Sequence, residues 1–277
     1  MKRDEQLVKL QQLELKIAAE IKRICNKYHI KYFITGGTLL GAVRHGGFIP
    51  WDDDMDIGML RNDYKCFLRA CKKELGKEYF LQTWDTDPEY PFSYAKVRLN
   101  GTHFVERFSA ECKMHNGIFV DIFPYDSVPE TRRERNKQKW KYYICKRLLW
   151  MKKGMGKNLK NSQGKAVKYS ISLAFSKLFP YDKLKSYYKK TQQKYNCYQT
   201  QKIVTDGTYT YDRESIQRSW AENLILVKFE HEEFLAFKDK DVYLKHIYGD
   251  YMKLPPAEKR NGHEWLFIDF GSYAGIS

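Results

Sequence analysis

Phe33–Met59 reads FITGGTLLGAVRHGGFIPWDDDMDIGM, and its last third packs four aspartates, Asp52, Asp53, Asp54 and Asp56, into five positions. The chain has 277 residues and a formal charge of +15, so this crowding of carboxylates runs against its average. Like charges this close repel, and water, a basic partner or a metal ion must offset the repulsion. MDIGML (55–60) reads as a strand, and in a strand side chains two apart share a face. Asp54 and Asp56 then stand side by side; Asp52 joins them only if the strand extends back that far. Two adjacent carboxylates on one rigid face offer hard oxygens to Mg²⁺ or Mn²⁺, which take few protein ligands and complete their shell with substrate phosphates. The competing reading is a solvated acidic loop, the usual fate of an aspartate run.

Two features further along the chain weigh against the loop. Asp121 sits inside GIFVDIF (117–123), an apolar strand-like run in which an isolated charge is costly without a partner. Gly36, Gly37 and Thr38 follow the short strand IKYFIT (30–35) and lead into a helix. Such a turn exposes backbone N–H groups at a positive helix end, which suits a phosphate. Strand, Gly-Gly, helix, Asp-x-Asp on a strand, then Asp on a later strand predicts a three-carboxylate site. Asp54, Asp56 and Asp121 are its expected metal ligands and catalytic groups, and metal-assisted phosphoryl transfer its expected chemistry.

Composition sets the class. At 43% hydrophobic residues the chain is globular, and 277 residues suit one large domain or a domain with an insertion. None of the six cysteines forms a CxxC pair or a zinc-like Cys/His group, so free thiols are expected. The charged start MKRDEQLVKLQQLELK lacks an apolar h-region, and no apolar run approaches the ~20 residues of a spanning helix. A cytoplasmic protein is expected, peripherally associated with the inner face of the cell membrane. The charge is concentrated: Thr131–Lys168 holds 14 Lys/Arg against one acid, Glu134, leaving +2 for the rest.

Periodicity supplies the remaining elements. Leu7, Leu10, Leu13, Ile17, Ile21 and Ile24 predict an amphipathic helix over 4–28. Asn62 is a candidate cap for a helix running to about Leu75. YFLQTW (79–84), YAKVRL (94–99), KIVTD (202–206) and ENLILVKFE (222–230) read as strands. The character changes after Pro124 and Pro129, and 130–195 reads as basic helices broken near Gly154–Gly164 and at Pro180. DVYLKHIY begins a last helix. The fold class is therefore α/β (α+β), a mixed sheet flanked by helices. Its expected parts are a catalytic core over 1–129, a basic helical insertion over 130–199 and a return to the core over 200–277.

At this point the sequence resembles the LicD family, which includes fukutin-type proteins and belongs to the nucleotidyltransferase-fold superfamily. That superfamily's pattern is a glycine pair, then Asp-h-Asp-h (h apolar), then a later carboxylate, here Gly36-Gly37, Asp54-Met55-Asp56-Ile57 and Asp121. YAKVRLNGT and the late YGDYM…PP…R…H extend the likeness over most of the chain. The resemblance implies a nucleotidyltransferase-like fold and a phosphotransferase that moves a phospho-alcohol, usually phosphocholine, from a CDP-alcohol donor such as CDP-choline. The acceptor it implies is a sugar hydroxyl of a teichoic acid, lipopolysaccharide or capsule precursor, a glycan often carried on a lipid. Asp54 and Asp56 would hold Mg²⁺ against the diphosphate, and Asp121 would share a metal or accept the proton of the attacking hydroxyl. Gly36, Gly37 and Thr38 would bind phosphate, and Arg260 and His263 match the family's C-terminal positions, which would bring them to the active site as substrate-binding residues unless they are plain surface residues.

Further substrate-binding candidates stand beside plainer readings. Asp52 belongs with the acidic run. Arg44 suits a phosphate clamp and His45 a positioning role, or both are structural loop residues. Lys96 and Arg98 share a strand face, for a diphosphate or for solvent. Trp51 reads as core, and Tyr248 and Tyr251 as helix packing rather than a choline box. KWKYYICKRLLWMKKG (139–154) mixes aromatic anchors with cations, which suits the surface of an anionic membrane over 131–168, or else a helix packed on the core with a solvated basic face. Two competing functions remain: a nucleotidyltransferase acting on RNA or a small molecule, and a non-catalytic membrane or nucleic-acid adaptor. Nucleic acid is not expected, because RNA-recognition signatures are missing.

Overall fold

Leu10, Leu13, Ile17, Ile21 and Ile24 are all buried along one side of α1 (Arg3–Lys27), as their helical spacing predicts. Each such side chain contributes about 1.5–3 kcal/mol on burial. The structure is a computed structural model describing residues 3–155, 170, 173–174 and 176–275. α1 packs across a mixed sheet that carries the acidic motif.

That sheet is built from β1 (Phe33–Ile34), β2 (Asp56–Leu60), β6 (Phe119–Ser127), β4 (Ala95–Leu99) and β3 (Tyr79–Gln82), in this spatial order. β2 and β6 are parallel, with Asp56 opposite Asp121; the other pairings are antiparallel. α2 (Gly36–His45) joins β1 to β2, and α3 (Arg61–Glu74) follows β2 directly. β5 (His103–Glu106) lies off this path. The C-terminal part returns to the sheet: β7 (Lys202–Val204) pairs with the far end of β6, and β8 (Ser215–Gln217) with β7. β9 (Leu224–Phe229) and β10 (Glu232–Phe237) form a hairpin beside β1.

Residues 130–199 supply α4 (Arg132–Lys152) and α5 (Tyr181–Gln193), which pack together. Thr131 caps α4 by accepting the Glu134 N–H. Pro180 stands immediately before α5, where its missing N–H costs no helical bond. Tyr142, Cys145, Leu148 and Leu149 of α4 join Trp84, Tyr90 and Phe92 in a second apolar cluster. The expected break at 154–164 falls largely on residues 156–164, outside the described residues, as does the 156–168 part of the basic segment. No helix among the described residues is long and apolar enough to cross a membrane.

Three expectations are corrected. The strand at 30–35 shrinks to Phe33–Ile34. Asn62 does not cap α3, because the helix starts a residue earlier at Arg61, which is tied to Asp126 by a buried ion pair. Pro124 does not end its strand, which runs on to Ser127. It falls in a gap along that edge, since β4 pairs with β6 only as far as Ile122 and β7 begins at Asp126.

Candidate active site

Asp53, Met55 and Ile57 are buried while Asp52, Asp54 and Asp56 are partly exposed, so the two-residue alternation reaches back to Asp52 although β2 begins only at Asp56. The glycine pair lies against this acidic face. A Cβ on Gly36 would stand 2.7 Å from an Asp56 carboxylate oxygen, and one on Gly37 would stand 2.7 Å from Asp52. Gly36 also has φ +57°, a left-handed conformation that glycine adopts without strain.

Register completes the cluster. Asp56 opposes Asp121 across β2–β6, and Asp121 opposes Lys96 across β6–β4. The Lys96 ammonium meets Asp121 Oδ1 at 2.6 Å and stands 3.2 Å from the Phe119 ring centroid. Burial pushes Asp121 up, and Lys96 pulls it partly back. Burial, with Asp54 adding to it, drives Asp52 and Asp56 well above the usual carboxylate range. Asp54 is pushed up to about 6 by burial, against the pull of His263. These carboxylates outnumber the cations beside them, and a cation fits such a donor set.

His263 arrives from the C-terminal loop. Its N–H and Nδ1 meet Asp53 Oδ1 at 2.9 and 3.0 Å, and Nδ1 lies 3.6 Å from Asp54. The Asp53 contact and the Asp54 charge raise the imidazole to about 10. Ligand atoms of Asp53, Asp54 and His263 lie within 4.8 Å of one another, near enough to hold a metal ion, although a protonated imidazole cannot ligate. A raised cationic group stabilises fully below its unfolded value near 6.5 and loses that contribution as pH climbs through about 10. Half the imidazole is exposed, so screening keeps the effect small. Melts between pH 7 and pH 10 are expected to show the wild type losing more stability than His263→Asn; equal losses would leave the ion pair without weight.

The other expected residues have particular attachments. Thr38 Oγ1 accepts the Asp56 N–H, so its hydroxyl holds the strand rather than facing solvent. The Gly36 N–H donates to the Tyr243 hydroxyl, which also meets Thr35, so that N–H is already engaged. Lys96 and Arg98 do share a face, but it is not solvated: both are buried, and Arg98 donates to Gln82 and to the Gly117 carbonyl. Arg44 donates to the Tyr251 carbonyl, and Arg260 stands over Trp51. The His45 ring meets Trp51 edge-on, and burial lowers its basicity. Trp51 packs partly buried against the core. The Tyr251 hydroxyl donates to Asp241, which removes it from any choline box.

Sequence reasoning missed two carboxylates. Asp53 anchors His263 from 210 positions away. Glu14 of α1 is fully buried, neither of its oxygens has a hydrogen-bond partner among the described residues, and after burial itself Asp54, Asp53 and Asp52 act on it most. Its position was a signal, since it lies on the apolar stripe, four after Leu10 and three before Ile17. Burial holds Glu14 neutral well above the ordinary glutamate value of 4.5, so folding loses stability as pH rises from 4.5 toward the folded value. Glu14→Gln is therefore expected to raise Tm at pH 7.5, by about 2 °C or more, with the gain shrinking toward pH 4.5. A lower Tm at pH 7.5 would mean that the ionised group has a partner.

The comparisons with known proteins fit this geometry. The LicD/FKTN/FKRP nucleotidyltransferase domain matches residues 29–149, which contain the glycine pair and all three core aspartates. The lipopolysaccharide cholinephosphotransferase LicD of Haemophilus influenzae is 30% identical over 271 residues, covering 94% of this chain and 95% of that protein. The chain belongs to the LicD family. Human and mouse ribitol 5-phosphate transferase FKRP are each 32% identical over 96 residues, which is 35% of this chain and 17% of those proteins. The long match to the Haemophilus protein includes far more than the acidic motif, whereas the FKRP likeness is a short one.

Proposed function

We propose that this LicD-family chain is a phosphotransferase that moves phosphocholine from CDP-choline to a sugar hydroxyl of a cell-surface glycan precursor, releasing CMP. The register pair Asp56–Asp121, flanked by Asp54 and laid against Gly36-Gly37, carries the reading. Choline is preferred to ribitol because the cholinephosphotransferase relative matches nearly the whole chain.

Asp54, Asp56 and Asp121 are the proposed ligands of Mg²⁺ or Mn²⁺. When bound, such a cation neutralises diphosphate oxygens and the charge developing on the departing CMP. The protein's own groups do the rest. Asp121 shares the cation or accepts the proton of the attacking hydroxyl, and Lys96 fixes its carboxylate for either task. Asp52 adds to the acidic wall beside Gly37. Gly37, at the start of the ten-residue α2, offers backbone N–H polarity to a phosphate. Arg44 and Arg260 bring positive charge to the rim. His263, as a cation, limits the negative charge that Asp53 and Asp54 add.

The acceptor side is proposed to involve α4, which carries nine Lys/Arg and one Glu. Its Trp140, Tyr143 and Ile144 are exposed on one side, in the pattern of a helix lying on an anionic membrane. Beside them a groove of about 720 Å³ runs between α4 and residues 205–211. Peripheral attachment to the cytoplasmic face would bring a lipid-carried glycan to this side.

The test is CMP release from CDP-choline, CDP-ribitol, CDP-glycerol and CDP-ethanolamine, with a membrane extract as acceptor. CMP from CDP-choline, lost on adding EDTA, supports the proposal; CMP from another donor alone reassigns the alcohol. No CMP from any donor, with pyrophosphate released from an NTP, would turn the reading to a nucleotidyltransferase.

A further inference from the structure

A guanidinium that forms no ion pair among the described residues stacks on two tyrosines. Arg213, on the helical turn Tyr211–Glu214, has its Cζ 3.9 Å from the Tyr209 ring centroid and 5.6 Å from that of Tyr248. Its Nε is buried and accepted by nothing, and among the described residues it forms no ion pair. The two tyrosines meet edge-on at 6.0 Å with their hydroxyls 3.4 Å apart. Tyr248 ends the helix Lys240–Tyr248, whose Tyr243 hydroxyl accepts the N–H of Gly36 beside the Asp56 carboxylate, so this helix borders the cluster.

A second guanidinium lies on α2, which packs against the helix that carries Tyr248. Arg44 Nη1 is fixed on the Tyr251 carbonyl at 2.7 Å, while its Nε is also buried without a partner. Burial lowers Arg44, and the charges that act on it most are Tyr248, Arg260 and Asp52. Two arginines from distant parts of the chain therefore stand by the end of this helix, Arg213 over Tyr248 and Arg44 on the Tyr251 carbonyl, each with a buried Nε that nothing accepts among the described residues. Leaving such a donor unmade is costly, and an oxyanion satisfies it with a charge-assisted bond. Stacking on tyrosine holds a guanidinium in place and leaves its edge N–H groups free for such an anion.

We propose that Arg213 and Arg44 form an oxyanion subsite around Tyr248 that takes phosphate oxygens of the donor beside the carboxylates. The inference deepens the phosphotransferase reading and rests on it for the donor's identity. It adds a ligand from the C-terminal part of the chain, outside the 29–149 domain match. It also gives the diphosphate positive charge from protein as well as from a cation.

The experiment is calorimetric binding of inorganic pyrophosphate, with Mg²⁺ present, to wild type, Arg213→Gln and Arg213→Lys, with Tm recorded for each. Arg213→Gln is expected to weaken binding roughly 10- to 100-fold at unchanged fold and to flatten its salt dependence. Arg213→Lys should recover part of the loss, since charge returns without the planar fork. In turnover, KM for the donor should rise more than kcat falls. A folded Arg213→Gln that binds pyrophosphate as wild type does overturns the subsite. If that variant does not fold, protection of Arg213 in the wild type from phenylglyoxal by pyrophosphate, read by peptide mass, decides instead: protection supports the subsite and its lack overturns it. Failure of the functional reading looks different. The wild type would then release no CMP from any CDP-alcohol, yet its pyrophosphate binding would still depend on Arg213.

Discussion

Asp54→Ala and Asp56→Ala should each lower CMP release by roughly 10²–10³-fold or more while the protein stays folded. Folding should survive because these carboxylates are a burden to the native state. Burial pushes Asp56 up, and Asp54, Asp121 and Asp52 push it further, so removing one charge relieves the others. In cation-free buffer the variants should melt at or above the wild-type temperature. Mg²⁺ should then raise the wild-type Tm and leave the variants nearly unchanged, as linkage demands of a ligand that binds only the native wild type. The pH profile follows from Asp54, held at about 6: its carboxylate is ionised above that value and protonated below it. Cation binding and turnover should therefore fall away as pH drops below about 6. A variant with near-normal turnover would remove Asp54 or Asp56 from the chemistry.

Lys96→Met should be the most destabilising substitution near the site. The pair is nearly dry, with the Lys96 side chain 2% exposed and that of Asp121 8%. Removing one member of a buried pair leaves an unbalanced charge and typically costs about 3–5 kcal/mol. In a chain of this size that lowers Tm by roughly 10 °C. Lys96→Met with Asp121→Asn should regain much of the loss, because two uncharged groups need no pairing, but should remain inactive. Thermal melts of the three proteins check this. A single variant within about 1 kcal/mol of wild type would mean that Asp121 finds another partner.

Much of the site was readable because its signals are local. The alternation of aspartates, the glycine pair and a lone Asp121 in an apolar run each lie within a few residues, and the fold brings Asp56 and Asp121 into register. What was hidden depends on distant pairing. Nothing near Lys96 names Asp121 as its partner; the β4–β6 register does. The sequence leaves Arg98 facing a diphosphate or solvent for the same reason, since only the fold shows that β4 is covered on both faces. The β9–β10 hairpin escaped notice because its turn has no glycine or asparagine. Glu230 adopts φ 55° there, tied to the acidic loop by its N–H to the Gly46 carbonyl and by its carboxylate to the Phe48 N–H. For His263 the sequence offers a candidate role, and only the fold gives its partner, Asp53.

We propose that Asp54, Asp56 and Asp121 hold the divalent cation, rather than Asp53, Asp54 and His263. Mn²⁺ titration followed by electron paramagnetic resonance, on wild type, Asp56→Asn and Asp53→Asn, separates the two sets. The Asp54–Asp56–Asp121 set predicts tight binding by the wild type, its loss in Asp56→Asn and its retention in Asp53→Asn. Binding kept by Asp56→Asn and lost in Asp53→Asn would contradict it and move the metal to the His263 side.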